Sequence, residues 1–149
     1  MRAEVVVDGI PFGEGPVWCP AGPGPWGEGT LVVTSVAEGS LHRVWPEQHR
    51  HERIADTGGG ANGAALAADG SILVTQNGGF DFAATGLFDR PPPYRPSAPG
   101  LQLASPEGEV RYLVDEGLHA PNDLVVAHDG TVLFTDPGPF PPPSRRSAG

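Results

Sequence analysis

The chain has 149 residues, about one ordinary domain, and a formal charge of −9 from 9 arginines, no lysine and 18 acidic residues. An acidic chain without a basic patch argues against a nucleic-acid partner, and a lone cysteine, Cys19, excludes an internal disulfide and permits a reducing compartment. With 22 glycines and 18 prolines between short apolar runs, and no long helical periodicity, the composition favours an all-β fold.

Residues 1–8, Met-Arg-Ala-Glu-Val-Val-Val-Asp, place an acid where a signal peptide needs an apolar core. No apolar run is long enough to span a membrane, so the expectation is a soluble cytoplasmic protein without a membrane partner. Cys19, between Trp18 and Pro20, reads as a small buried or turn residue, because no catalytic cysteine pattern surrounds it.

A segment then recurs three times: Glu28-Gly-Thr-Leu-Val-Val-Thr34, Asp69-Gly-Ser-Ile-Leu-Val-Thr75 and Asp129-Gly-Thr-Val-Leu-Phe-Thr135. Each is an acidic-Gly turn, a hydroxyl residue, three apolar residues and a threonine. A repeat at this period means stacked copies of one supersecondary unit. Seven residues before Asp69 and Asp129 stand Asn62 and Asn122, with short apolar strands between, at 63–68 and 123–128. In the first copy Glu14 holds that place, and residues 21–27 lengthen its turn. Glu14, Asn62 and Asn122 therefore fall at one position of three successive units.

Upstream of each copy lies an apolar strand ending in Asp8, Asp56 or Asp115. After the repeated threonine come two further strands: 40–45 and 51–55 in the first unit, and 101–104 and 109–114 in the second. Four short strands per unit predict the antiparallel blade of a β-propeller. Blade one covers about 10–56 and blade two 57–115. The inner half of blade three covers 116–136, about two and a half blades in all. Residues 5–8 would be the outer strand that closes the ring onto a last blade. Residues 77–100 form a long loop on one face, and its aromatic residues Phe80, Phe82, Phe88 and Tyr94 would either cover a ligand or pack the loop onto the blade. Residues 1–137 form the propeller part, and 138–149, with another proline run and Arg145-Arg146, read as a disordered tail.

The innermost strands of a propeller start around a central channel, so a Glu and two Asn residues there converge as oxygen donors. One carboxylate with amide oxygens suits a hard cation, Ca²⁺ above all. Soft-metal chemistry would need more Cys or clustered His. Asn62-Gly63 reads equally well as a local turn pair. The acids Glu28, Asp69 and Asp129 read as hairpin-turn residues without chemistry. Of the histidines, His42, His49, His51 and His128 are scattered; only His119, three residues before Asn122, stands near the channel, as a surface residue or a substrate contact.

Phe12-Gly-Glu-Gly-Pro-Val-Trp18 resembles the opening motif of the gluconolactonase/regucalcin (senescence marker protein) and luciferin-regenerating-enzyme-like family. Ala120-Pro-Asn-Asp-Leu-Val-Val126, followed by Asp129-Gly and Phe134-Thr-Asp-Pro137, resembles its second signature. The resemblance runs over residues 4–137. It implies a partial six-bladed propeller with a divalent metal in the channel, usually Ca²⁺, with Zn²⁺, Mg²⁺ or Mn²⁺ as alternatives, and a lactone or sugar-lactone substrate. Glu14 matches the metal-binding glutamate and Asn122 the asparagine that faces metal or substrate. Asp123 would orient the donors, and Asn62 and His119 are candidate substrate contacts. The family's later ligands, an Asn and an Asp, the latter the usual base or nucleophile, have no counterpart here, so no catalytic residue is expected in this part. The expectation is a truncated or partial metal-dependent lactone hydrolase, inactive alone. The alternative is a non-enzymatic propeller segment that associates with another chain through open strand edges.

Overall fold

The computed structural model describes residues 2–138. The expected tail lies, from residue 139 onward, outside the described residues. Ten strands run in chain order with no α-helix among the described residues. The first sheet is a meander of β1 (Gly13–Cys19), β2 (Thr30–Ser35), β3 (Ser40–Trp45) and β4 (Arg50–Asp56). The second repeats it with β5 (Ala61–Leu66), β6 (Ile72–Gln76), β7 (Gly100–Ala104) and β8 (Val110–Val114). A third, two-stranded sheet pairs β9 (Leu124–Val126) with β10 (Val132–Phe134). All pairings are antiparallel. These are the two blades and the inner half of a third that the repeat predicts. Among the described residues, no helix is long and apolar enough to cross a membrane.

The turn chemistry explains why the unit recurs. The Asp69 carboxylate accepts from the Ser71 amide and the Asp129 carboxylate from the Thr131 amide, both at 2.9 Å. These local bonds close the two hairpins and hold both carboxyls below their ordinary pKa. Glu28 departs from the expected hairpin role. Because residues 21–27 lengthen the turn, its carboxylate instead accepts from Trp45 Nε1 at 2.7 Å. The inserted Trp26 is buried and donates Nε1–H to the Gly70 carbonyl at 2.9 Å, bridging blade one to the turn of blade two.

The core forms where the first two sheets face each other, and includes Val32, Leu41, Ile72, Val74 and Ala104. Cys19 belongs to this cluster. Burial pushes its thiol up to about 11 against a weaker opposing pull from Arg43, so it is a packed thiol and no nucleophile. Residues 5–8 carry no strand pairing among the described residues, which do not include the last blade they were expected to join, and the Val6 carbonyl meets His49 Nδ1 at 3.0 Å beside blade one. Their backbone finds no ladder partner among the described residues. On β9 and β10 the facing pair Val125 and Leu133 is exposed. Its register equivalent in blade two, Ala65 and Leu73, is covered to a greater degree, with Leu73 buried.

Candidate functional site

The shared position of Glu14, Asn62 and Asn122 reappears in the strand registers. Glu14 faces Thr34 across β1 and β2. The Asn122 amide donates to the Thr135 carbonyl at 2.9 Å. Ala61 faces Gln76, which brings the next residue, Asn62, to the level of Thr75. Immediately after this level the register shifts, between Glu14 and Val17 and again between Ala61 and Ala64. A bulge at the start of the inner strand re-aims the side chains there, as bulges beside functional sites do.

The blades then meet at this level. Gly63 donates its N–H to the Asn122 carbonyl at 3.0 Å. A Cβ on Gly63 would lie 2.6 Å from that same oxygen, and one on Gly15 would lie 2.6 Å from the Asn62 carbonyl oxygen. The glycine after each donor residue is therefore a close-approach residue. In the third copy Asp123 stands at that place. Its amide donates to Thr135 Oγ1 at 3.2 Å and its side chain is exposed.

Asn62, Asn122 and His119 come together on the wall of one cavity of about 780 Å³. Neither asparagine side chain is engaged in a hydrogen bond among the described residues. Glu14 is exposed on β1 at the equivalent register level, and neither it nor Asp123 lies on the cavity wall. Among the described residues, no group of three or more His, Cys, Asp or Glu side chains is placed to hold a metal. The donors that this level does present, one carboxylate and two amides, are all hard oxygens. That fits an alkaline-earth ion in kind, although Ca²⁺ takes about six to eight oxygens.

Asp136 anchors the backbone beside this wall, a role that sequence reasoning passed over. Its carboxylate accepts from the Ala120 amide at 2.8 Å and the His119 amide at 3.0 Å, and His119 Nδ1 lies 3.7 Å away. The Ala120 bond foremost, with those from His119 and Gly138, holds this carboxyl below its ordinary value. Asp136 thus fixes the segment that carries His119 and leads into Asn122. Its signal was present in Phe134-Thr-Asp-Pro137: an acid directly after a strand, where free amides need an acceptor.

The aromatic residues of the loop 77–100 pack it onto blade one, and several of them border the cavity. Phe82 is buried, with the rings of Phe12 and Phe80 each 5.1 Å away and that of Phe88 at 5.4 Å. Phe12, Phe80, Phe82 and Tyr94 also line the cavity. Arg95 ties the loop to blade one through the Asp56 carboxylate, at 2.9 and 3.1 Å. Burial works to raise the Asp56 carboxyl, but its bonds to Arg95 and the Gly58 amide, with the charge of Arg53, hold it lowered. A carboxyl lowered by folding stabilises the fold fully above its unfolded pKa, about 3.9, and ceases to as pH falls through the folded value. The Tyr94 ring resonances are therefore expected to shift on acidification with a midpoint below about 3.9, and not to do so in Asp56→Asn. A midpoint at the ordinary carboxylate value would show that the anchor does not form.

The family model described as the SMP-30/gluconolactonase/LRE-like region matches residues 12–148. The chain belongs to this family. The match extends past residue 137, beyond the two motifs that carry the resemblance in sequence. No curated protein matches the chain. Among solved structures, a gluconolactonase from Xanthomonas campestris, described as important in glucose secondary metabolic pathways, is 25% identical with a TM-score of 0.61. The likeness covers 86% of this chain and 36% of that one. A structural-genomics target named as a candidate gluconolactonase is 22% identical with a TM-score of 0.60, over 87% of this chain and 38% of that one, and supports the fold alone. This member of the SMP-30/gluconolactonase/LRE-like family thus spans little more than a third of the length of these structures.

Proposed function

We propose that this chain carries the first part of the site of a metal-dependent lactone hydrolase. The observation that carries the reading is the convergence of Asn62 and Asn122, at one register level of successive blades, on a single cavity with His119. Family membership supports it. Glu14 and Asn122 would hold a divalent cation, Ca²⁺ by the hardness of the donors, with Asn62 on the same cavity wall as Asn122. A cation bound there would polarise a lactone carbonyl and favour the charge that develops on its oxygen.

What the chain itself contributes is orientation. Asn62 and Asn122 offer amide groups that can accept from substrate hydroxyls or donate to a ring oxygen. His119, held through its backbone by Asp136, places an imidazole on the same wall. No carboxylate of the described residues lines the cavity, so the group that attacks the carbonyl or activates water comes from outside them.

Calcium titration calorimetry on the 149-residue chain tests this reading. The expected result is weak binding, because the donor set is incomplete, without lactone turnover. Asn122→Ala and Glu14→Gln should each weaken it by about tenfold or more, the lower end of the range seen for outer partners of a metal site. Calcium binding indifferent to both substitutions would overturn the assignment of donors. Tight binding with turnover would overturn the incomplete site.

A further inference from the structure

The side of the cavity that the loop 77–100 builds is unlike one made for a polyhydroxylated ligand. Such a ligand needs a polar partner for nearly every hydroxyl it buries. Of the polar side chains that the loop 77–100 brings to the wall, Asn77 and Thr85 are spent on the loop itself, and the buried Ser97 hydroxyl has no hydrogen-bond partner among the described residues. Asn77 Oδ1 accepts from the Gly79 amide at 3.0 Å, and Thr85 Oγ1 donates to the Phe82 carbonyl at 2.8 Å. What the loop offers instead is apolar surface. Leu87 and Tyr94 are 63% and 50% exposed, and Phe12 is 42% exposed, yet all three lie on this cavity. Large apolar side chains left in solvent around one cavity mark a binding surface.

Two features show that this surface is held in place. Phe12 sits in the left-handed region at φ 50, a conformation that a bulky residue adopts only when its surroundings impose it. Its carbonyl accepts from the Val36 amide at 3.1 Å and its ring packs on Phe82. The loop opposite is pinned by Arg95 to Asp56 and by the buried Phe82. A Cβ on Gly79 would lie 2.6 Å from the Arg95 carbonyl oxygen, so the two arms of the loop are in close contact. Backbone strain at an exposed aromatic residue, facing a pinned apolar loop, is the signature of a preformed pocket.

We infer that the substrate is a lactone carrying an apolar alkyl or aryl substituent, and not a sugar lactone. The ring lies toward Asn62 and Asn122, and the substituent lies against Phe12, Leu87 and Tyr94. This rests on the lactone-hydrolase reading above and deepens it.

The test is binding to the full chain with calcium present, by ligand-observed NMR, of γ-octalactone, glucono-δ-lactone and octanol. Each methylene placed on an apolar wall is worth roughly fourfold in affinity. A partly covered butyl tail should therefore make γ-octalactone bind about tenfold more tightly than glucono-δ-lactone. The double substitution Leu87→Ser, Tyr94→Ser should remove that margin. Both side chains are half or more exposed, so the core is untouched. Glucono-δ-lactone binding as tightly or more tightly would overturn the substrate class and leave the lactonase reading standing. Octanol binding as tightly as γ-octalactone would show that the ring is not recognised and overturn both. A margin that survives the double substitution, or no saturable binding of either lactone, also overturns the inference.

Discussion

Replacing Gly63 with alanine is expected to lower stability by about 2–4 kcal/mol, the sum of overpacking and one lost hydrogen bond. The new Cβ would stand 2.6 Å from the Asn122 carbonyl oxygen, 2.9 Å from Asp123 Cα and 3.0 Å from the Leu124 nitrogen. All three are backbone atoms, so no side chain can swing aside. The strands β5 and β9 must separate, and the bond from the Gly63 amide to Asn122 is lost with them. Gly15→Ala repeats the collision one blade earlier, against the Asn62 oxygen at 2.6 Å and the Ala64 nitrogen at 2.7 Å. It adds backbone strain, because Gly15 has a φ of 47, which costs a residue with a Cβ about 1–2 kcal/mol. Gly24→Ala is the control: no atom lies within 4 Å of its added Cβ. Urea denaturation reads the three variants as shifts of midpoint. A Gly63→Ala midpoint equal to that of Gly24→Ala would show that the blades are not held at this contact.

Much of this contact was legible as spacing. A fixed seven-residue interval before the Asp-Gly turn brought Asn62 and Asn122 to one level, and Glu14 joined them by the same alignment. The registers agree, since Glu14 faces Thr34 as Asn122 pairs with Thr135. The interval survives because it lies within one hairpin, where turn chemistry and pleat fix the count. Contacts between blades were not legible. Trp26 reaches Gly70 across 44 residues and Arg95 reaches Asp56 across 39, and neither pair has a local pattern. The apolar run at 5–8 has a strand's composition but no ladder to join among the described residues. The side of the cavity formed by 77–100 was equally hidden. A proline-rich loop shows where regular structure stops, and not which of its rings turn inward.

The repeated threonine was read as the end of an apolar strand, and the structure gives it a second task. Thr34 Oγ1 donates to the Asn62 carbonyl at 2.5 Å, and Thr75 Oγ1 donates to the Asn122 carbonyl. Each hydroxyl therefore grips the main chain of the donor residue in the next blade. Thr75 is fully buried, and its oxygen also accepts from the Gly63 amide at 2.8 Å, so one hydroxyl joins β5, β6 and the approach to β9. Thr75→Val keeps the branched shape and removes the bonds. The expected loss is about 1–3 kcal/mol, the cost of leaving buried polar groups short of a partner. A packing role alone would stop at that loss. A positioning role predicts more: the Asn122 amide resonance should move, and calcium affinity should fall by about tenfold, as for outer partners of a metal site. Thr75→Ser, which keeps the hydroxyl and gives up the methyl, should restore affinity without restoring all of the stability. If valine lowers stability while the Asn122 resonance and calcium affinity stay unchanged, the threonine packs the blade and does not position the donor. If serine and valine behave alike in affinity, the hydroxyl is not the group that matters. The two glycines and the two threonines make the same physical statement from opposite sides. The glycine lets the next donor's carbonyl approach and the hydroxyl holds it there, so the geometry of each donor residue is set by the blade before it.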